Sequence, residues 1–218
     1  MKRIYDQHVS LFLVAGCPNE CDFCLAGAGP TKKSFMSLGD VERILSDHPG
    51  TWREVSLGGG EPALHPDVDG VILGCRDWGW DVLLHTNDLD LSRRAVGMFT
   101  GRGGMNSLSI TVSFNDRIVT DTEGLVGLRK YIEGLGDPRI DLYVNVFDNP
   151  HNNDLIDMGF RPGSIVKVPK YALGRAAGMT DAVMVPTNGM SGHIYTTDLV
   201  KFPVTDYVAA CEHQMSLD

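Results

Sequence analysis

The sequence predicts an α/β fold: a largely parallel sheet of about six β units, wrapped by helices and curled so that one face lines a polar cavity. Three observations carry this. Apolar β-runs alternate with helix-period segments along the chain, the pattern of a parallel sheet wrapped by helices. Two of the runs, "LSITVSF" (108–114) and "RIDLYVNVF" (139–147), alternate strictly between apolar and polar residues. A parallel sheet covered on both sides is apolar on both faces, so a polar face among intervening helices points to a barrel interior. Finally, no repeat, low-complexity tract or Pro/Ser-rich linker breaks the 218 residues, and 43% of them are hydrophobic. One core suffices, and the expectation is a single domain over residues 1–218.

The elements follow in order. "VSLFLVAG" (9–16) reads as a strand ending at a cysteine cluster. Residues 37–47 read as a helix, with Ser37 and Asp40 resembling a capping box and Leu38, Val41 and Leu45 on one face. "EVSLG" (54–58) is a strand. Residues 65–79 form a helix with Pro66 near its start and Val68, Val71, Ile72 and Cys75 on one side. "WDVLLHT" (80–86) is a strand without alternation, so the facing of Thr86 stays open; a short helix near 91–99 follows. In 108–114 the apolar set is Leu108, Ile110, Val112 and Phe114, against Ser109, Thr111 and Ser113. Helix 121–135 is faced by Leu125, Leu128, Ile132 and Leu135. In 139–147 the apolar set is Ile140, Leu142, Val144 and Val146, against Asp141, Tyr143, Asn145 and Phe147. A brief helix at 152–158 and a strand at 164–169 complete the pattern, leaving about 195–218 as a tail on or near the barrel mouth.

Charge and composition exclude several classes. Nineteen basic against 28 acidic residues give a net charge of −9. Without a basic stripe, no nucleic-acid partner is expected. No apolar run approaches the roughly 18–20 residues of a membrane span. "LFLVAG" runs directly into the cysteines, unlike a signal peptide, and the expected location is the cytoplasm. Three of five cysteines are clustered, which reads as metal-binding or catalytic rather than as a disulfide framework.

The cluster is "CPNECDFC", with Cys17, Cys21 and Cys24 spaced C-x3-C-x2-C. Zinc sites usually take a fourth Cys or His at a regular offset. The next thiol, Cys75, falls on the apolar face of a helix. Three thiolates also suit a 4Fe–4S cluster whose fourth iron stays open to a ligand. A second signal, "LGGGEP" (57–62), ends a strand. Its glycines permit close backbone approach, and Glu61 offers a carboxylate to a cation such as an amino acid's ammonium.

Together these motifs resemble the radical S-adenosylmethionine (radical SAM) enzymes, and the likeness covers nearly the whole chain. "CPNECDFC" and "GGGEP" are joined by "HTN" (85–87), "VSF" (112–114), "VNV" (144–146) and "ALGRAAG" (172–178). "GRAAG", with Arg175, is similar to the branch of the molybdenum-cofactor cyclase and peptide-modifying enzymes. The resemblance implies a partial (β/α)6 barrel with one 4Fe–4S cluster at its mouth, bound by Cys17, Cys21 and Cys24. It implies that S-adenosylmethionine chelates the open iron and is cleaved reductively to a 5′-deoxyadenosyl radical. That radical takes hydrogen from a small-molecule or peptide substrate, with flavodoxin or ferredoxin as the kind of reductant. By the same resemblance, Phe23 packs near the cluster and adenine. Gly59, Gly60 and Glu61 meet the methionine ammonium, and Thr86, Ser113 and Asn145 contact the methionine or ribose. The rival readings are a glycyl-radical activating enzyme and, in another class, a non-catalytic zinc or Fe–S module.

Other candidates are weaker. His85, Asn87 and Asp88 sit at a strand end, where barrel enzymes place functional groups. Asn115, Asp116 and Arg117 follow the fourth strand. Lys167 either faces the cavity toward Asp141 or reaches solvent at an edge. Cys211 reads as a free thiol on the tail; its functional counterpart is a hydrogen donor to a substrate radical. His8, His48 and His193 show no constellation in the sequence.

Overall fold

The structure is a computed structural model that describes residues 7–21, 24–50, 53–100, 104–114, 121–146, 151–168, 192–203 and 206–217. Eight strands form one open sheet. They are β1 (Gln7–Val14), β2 (Arg53–Gly59), β3 (Asp81–His85), β4 (Leu108–Phe114), β5 (Ile140–Val146), β6 (Ile165–Lys167), β7 (His193–Tyr195) and β8 (Lys201–Pro203). The order is β6-β5-β4-β3-β2-β1-β7-β8. From β1 to β6 every pairing is parallel. Parallel neighbours need crossovers, and helices provide those described: α1 (Leu38–Ser46), α2 (Val68–Asp77), α3 (Leu89–Phe99), α4 (Thr122–Leu135) and α5 (His151–Asp157). The six expected units are present and the sheet stays unclosed, as a partial barrel.

Local chemistry starts these helices. The Ser37 hydroxyl accepts from the Asp40 amide at 3.1 Å, satisfying an end donor of α1. Asp88 does the same for Leu91 in α3 at 2.6 Å, and Asp121 for Gly124 in α4 at 2.7 Å. Val68, Val71, Ile72 and Cys75 of α2 are buried together, as their spacing predicts. In α4, Leu125, Leu128 and Ile132 are buried but Leu135 is 39% exposed. The helix stops there at left-handed Gly136 (φ 61°), so its last turn runs past the core.

The register separates two faces. Leu57, Leu84, Ile110 and Leu142 lie side by side across β2 to β5 and belong to the main core under the helices. One residue on, His85, Thr111 and Tyr143 line up on the opposite, inner face. Ser113 registers with Asn145 one rung further along. Lys167 pairs with Val146 on the outer side, not with Asp141, and is exposed. Its solvent-reaching option is the one observed.

The expected tail supplies more order than its sequence suggests. β7 adds to β1 in parallel and β8 returns antiparallel. Helix α6 (Tyr207–Ser216) contributes Ala210 and Cys211 to a small cluster with Phe12 and Ile194. Cys211 is wholly buried there. Phe23, Asn115–Arg117, Phe147 and Arg175 with the rest of "ALGRAAG" lie outside the described residues.

Candidate functional site

β1 leads straight into the cysteine loop. Cys17, Cys21 and Cys24 are half-buried and not joined in disulfides. The Cys17 amide donates to Gly29 O at 3.0 Å, and the Cys24 amide to Cys21 O at 3.1 Å, folding the loop back on itself. Burial pushes the Cys17 thiol up to about 11; the Asn19 backbone opposes this, and the charges of Glu61, Cys24 and Cys21 add to it. The three thiols and the Glu61 carboxylate therefore share one neighbourhood. Yet among the described residues no three His, Cys, Asp or Glu side chains converge on a single-ion position. A mononuclear zinc site requires such convergence around bonds of about 2.3 Å. A cluster instead takes each thiolate on a different iron, and this donor set fits it. Cys75 is remote from the loop, fully buried in the outer core, with burial pushing its thiol up to about 12.

The glycine loop packs directly on β1. Gly60 N donates to Val14 O at 2.6 Å, and Glu61 N to Gly16 O at 2.8 Å. A Cβ on Gly60 would stand 2.0 Å from Gly16 O, and Gly59 holds φ +99° with Val14 O 2.8 Å from where its Cβ would be. Only glycine is compatible with that approach of two backbones. Sequence reasoning assigned these glycines to a ligand; they also bring Glu61 against the cysteine loop.

Glu61 is 6% exposed. Its Oε1 accepts from Ala63 N at 3.3 Å and from the Thr86 hydroxyl. Its Oε2 accepts from Asn87 N at 2.9 Å. Burial raises its pKa above the usual carboxylate range, Thr86, Asn87 and Ala63 oppose the rise, and Asp88 adds to it. Thr86, undecided by alternation, turns inward to hold this carboxylate. The Asn87 side-chain oxygen then accepts from Ser113 N at 2.9 Å. "GGGEP", "HTN" and "VSF" are thus one hydrogen-bonded unit at the strand ends. Asn145 joins it only by register with Ser113, both half-buried.

Below this unit, the inner face holds a group that the sequence did not reveal. His8 Nδ1 lies 2.9 Å from Glu54 Oε1, and His8 Nε2 lies 3.1 Å from the Ser10 hydroxyl. Burial, with a smaller contribution from His8, pushes His85 down to about 4 against the pull of Glu54. At neutral pH its ring is uncharged. The available signal was β1's own parity, which puts His8 and Ser10 opposite Val9 and Leu11. His48 and His193, also silent in the sequence, meet at 3.2 Å between α1 and β7. A cavity of about 260 Å³ between α4, β5 and Phe160 is lined by none of these residues. The candidate site residues gather at the strand ends and not in that cavity.

Three thiols lie at the strand ends of an open, largely parallel sheet, backed by a half-buried Gly-Gly turn that carries the buried Glu61, the arrangement that the resemblance to radical SAM enzymes implies. The sequence profile of the radical SAM superfamily matches residues 11–139, more than half of the chain. The chain belongs to that superfamily. No curated protein sequence matches it. Its structure is similar to Streptococcus suis SuiB bound to S-adenosylmethionine, with TM-score 0.62, 16% identity, and coverage of 84% of this chain and 44% of SuiB. SuiB bound to the precursor peptide SuiA gives TM-score 0.56, 18% identity, and coverage of 71% and 36%. At these identities the likeness is one of fold, and this chain spans less than half the length of SuiB. Among the described residues, no helix is long and apolar enough to cross a membrane.

Proposed function

We propose that the chain is a radical SAM enzyme that cleaves S-adenosylmethionine reductively at one 4Fe–4S cluster and takes hydrogen from a peptide substrate, acting in the cytoplasm. The observation that carries this is three half-buried thiols on one loop, with no further His, Cys, Asp or Glu grouped with them as a metal site among the described residues, and a buried, donor-held Glu61 whose backbone packs against the start of that loop. Cys17, Cys21 and Cys24 would hold the cluster, leaving one iron for the cofactor. When bound, cluster and cofactor supply a 5′-deoxyadenosyl radical for hydrogen abstraction. Glu61 accepts the methionine ammonium, Thr86 and Asn87 fix its carboxylate, and Ser113 and Asn145 present polar groups toward the ribose. The uncharged His85 and the His8–Glu54 pair sit deeper on the same face, where a substrate side chain would enter. A peptide is favoured over a small molecule because a SuiB structure of the same fold holds a precursor peptide. A one-electron carrier such as flavodoxin or ferredoxin would supply the reductant.

The test is anaerobic reconstitution with iron and sulfide, followed by a 5′-deoxyadenosine assay with a strong reductant. The parent chain is expected to hold about four irons and form the nucleoside. Alanine at Cys17, Cys21 or Cys24 should abolish both. One zinc per chain and no iron would overturn the proposal in favour of a binding module.

A further inference from the structure

Helix α6 ends against the cysteine loop, and several independent contacts join the two. Lys32 Nζ donates to Met215 O at 3.1 Å and to Leu217 O at 2.6 Å, meeting carbonyls at the helix's C-terminal end. Gln214, 1% exposed, exchanges hydrogen bonds with Thr197, whose hydroxyl lies 3.2 Å from that of Ser34. Gly27 holds φ +57°, and a Cβ there would stand 2.5 Å from Met215 Cγ. Leu25, next to Cys24, packs on the cluster of Phe12 and Cys211. From Lys32 the path to the thiols is short: its amide donates to Gly29 O, the same carbonyl that accepts from Cys17 N.

We propose that α6 is a latch that positions the cluster-binding loop, with Lys32 as its key positioning residue. Of the 15 residues between Gly16 and Lys32, those described make few regular hydrogen bonds among themselves, and such segments open at low free-energy cost unless tied down. Lys32 ties it at a helix C-terminus, where a cation is favourably placed. Cys211 then acts as filler in the latch's apolar seat. The inference rests on the proposed cluster site, but its test does not require the cluster.

In metal-free, reduced protein, iodoacetamide labelling of each cysteine is followed by mass spectrometry. Lys32→Met keeps the stem and removes the donors. Labelling of Cys17, Cys21 and Cys24 is expected to rise about tenfold, the factor for about 1.4 kcal/mol of lost charge-assisted bonding. Cys75, in the outer core, should stay protected. Lys32→Arg keeps a donor at the same carbonyls and should restore the parent rates. After reconstitution, Lys32→Met should hold less iron per chain than the parent. Parent labelling rates in Lys32→Met, or a rise shared by Cys75, overturns the latch. Because the rates are read without metal, they judge the latch even where the parent chain proves to take up zinc.

Discussion

Strand β4 sets two environments one residue apart. Ile110 and Val112 are fully buried in the main core, while Ser109 and Ser113 are half-buried on the inner face. The outer face is built from apolar area alone, each fully buried side chain contributing roughly 1.5–3 kcal/mol. The inner face contributes less to stability and instead presents hydroxyls, amides and imidazoles toward the strand ends. The lesson is a division of labour within single strands. Outward positions hold the barrel together, and inward positions are free to carry chemistry.

That contrast is most strongly tested from the outside. Ile110→Ala should lower unfolding free energy by about 2–5 kcal/mol, the range for emptying a packed core position. Ser109→Ala, its inner neighbour, should cost about 0.5–1 kcal/mol. Urea denaturation of both variants measures the gap, and equal losses would erase the distinction between faces.

Glu61 comes next because it belongs to both structure and site. Glu61→Gln should weaken S-adenosylmethionine binding about 10- to 150-fold, as for losing a charge-assisted bond of roughly 1.5–3 kcal/mol. The new amide NH2 must also face donor groups of Ala63, Thr86 or Asn87, so the variant should be less stable than the parent. Binding by the parent should weaken as pH falls through the raised Glu61 pKa, since only the carboxylate pairs with an ammonium. Calorimetric titration across pH reads both effects, and an unchanged affinity would reduce Glu61 to a loop strut.

Ser113→Leu sharpens the comparison from the inside. The fold should survive with about 1 kcal/mol lost, while the added bulk blocks cofactor cleavage. Wild-type formation of 5′-deoxyadenosine would place Ser113 off the cofactor's path.

A smaller effect is expected from His85. Its folded pKa, about 4, lies below the ordinary 6.5. The unfolded chain therefore binds a proton first, and stability present above pH 6.5 is lost as pH falls toward 4. His85→Asn should flatten that part of the stability profile, measured by denaturation at successive pH values. His85 is half-buried, and its ring lies beside Gly58 at the foot of the glycine turn.

The smallest effect belongs to Cys211→Ala. Removing one sulfur from the seat of Phe12 and Ile194 should cost about 1 kcal/mol and leave 5′-deoxyadenosine formation unchanged. A product diverted or stalled in this variant would restore the hydrogen-donor reading.

The sequence by itself determined the periodic parts. Alternation in 108–114 and 140–146 assigned inner and outer faces residue by residue. Capping at Ser37 and the apolar side of Val68, Val71, Ile72 and Cys75 placed helices, and the spacing of Cys17, Cys21 and Cys24 with "GGGEP" marked the candidate site. These signals are local, because a strand or helix face is written within a few residues of itself. The tertiary structure decided what local patterns do not encode. β7 is only three residues long and becomes a strand by pairing with β1, which lies far from it in sequence. Helix α6 buries Ala210, Cys211 and Gln214 together, mixing polar and apolar residues so that no clear stripe marks it. Thr86, one residue past β3, meets the Glu61 carboxylate only because folding brings two strand ends together. His8 and Glu54 are likewise separated by 46 positions and meet only across adjacent strands. In each case the partner that gives the residue its meaning is distant in the chain, and only the packed sheet brings the two into contact.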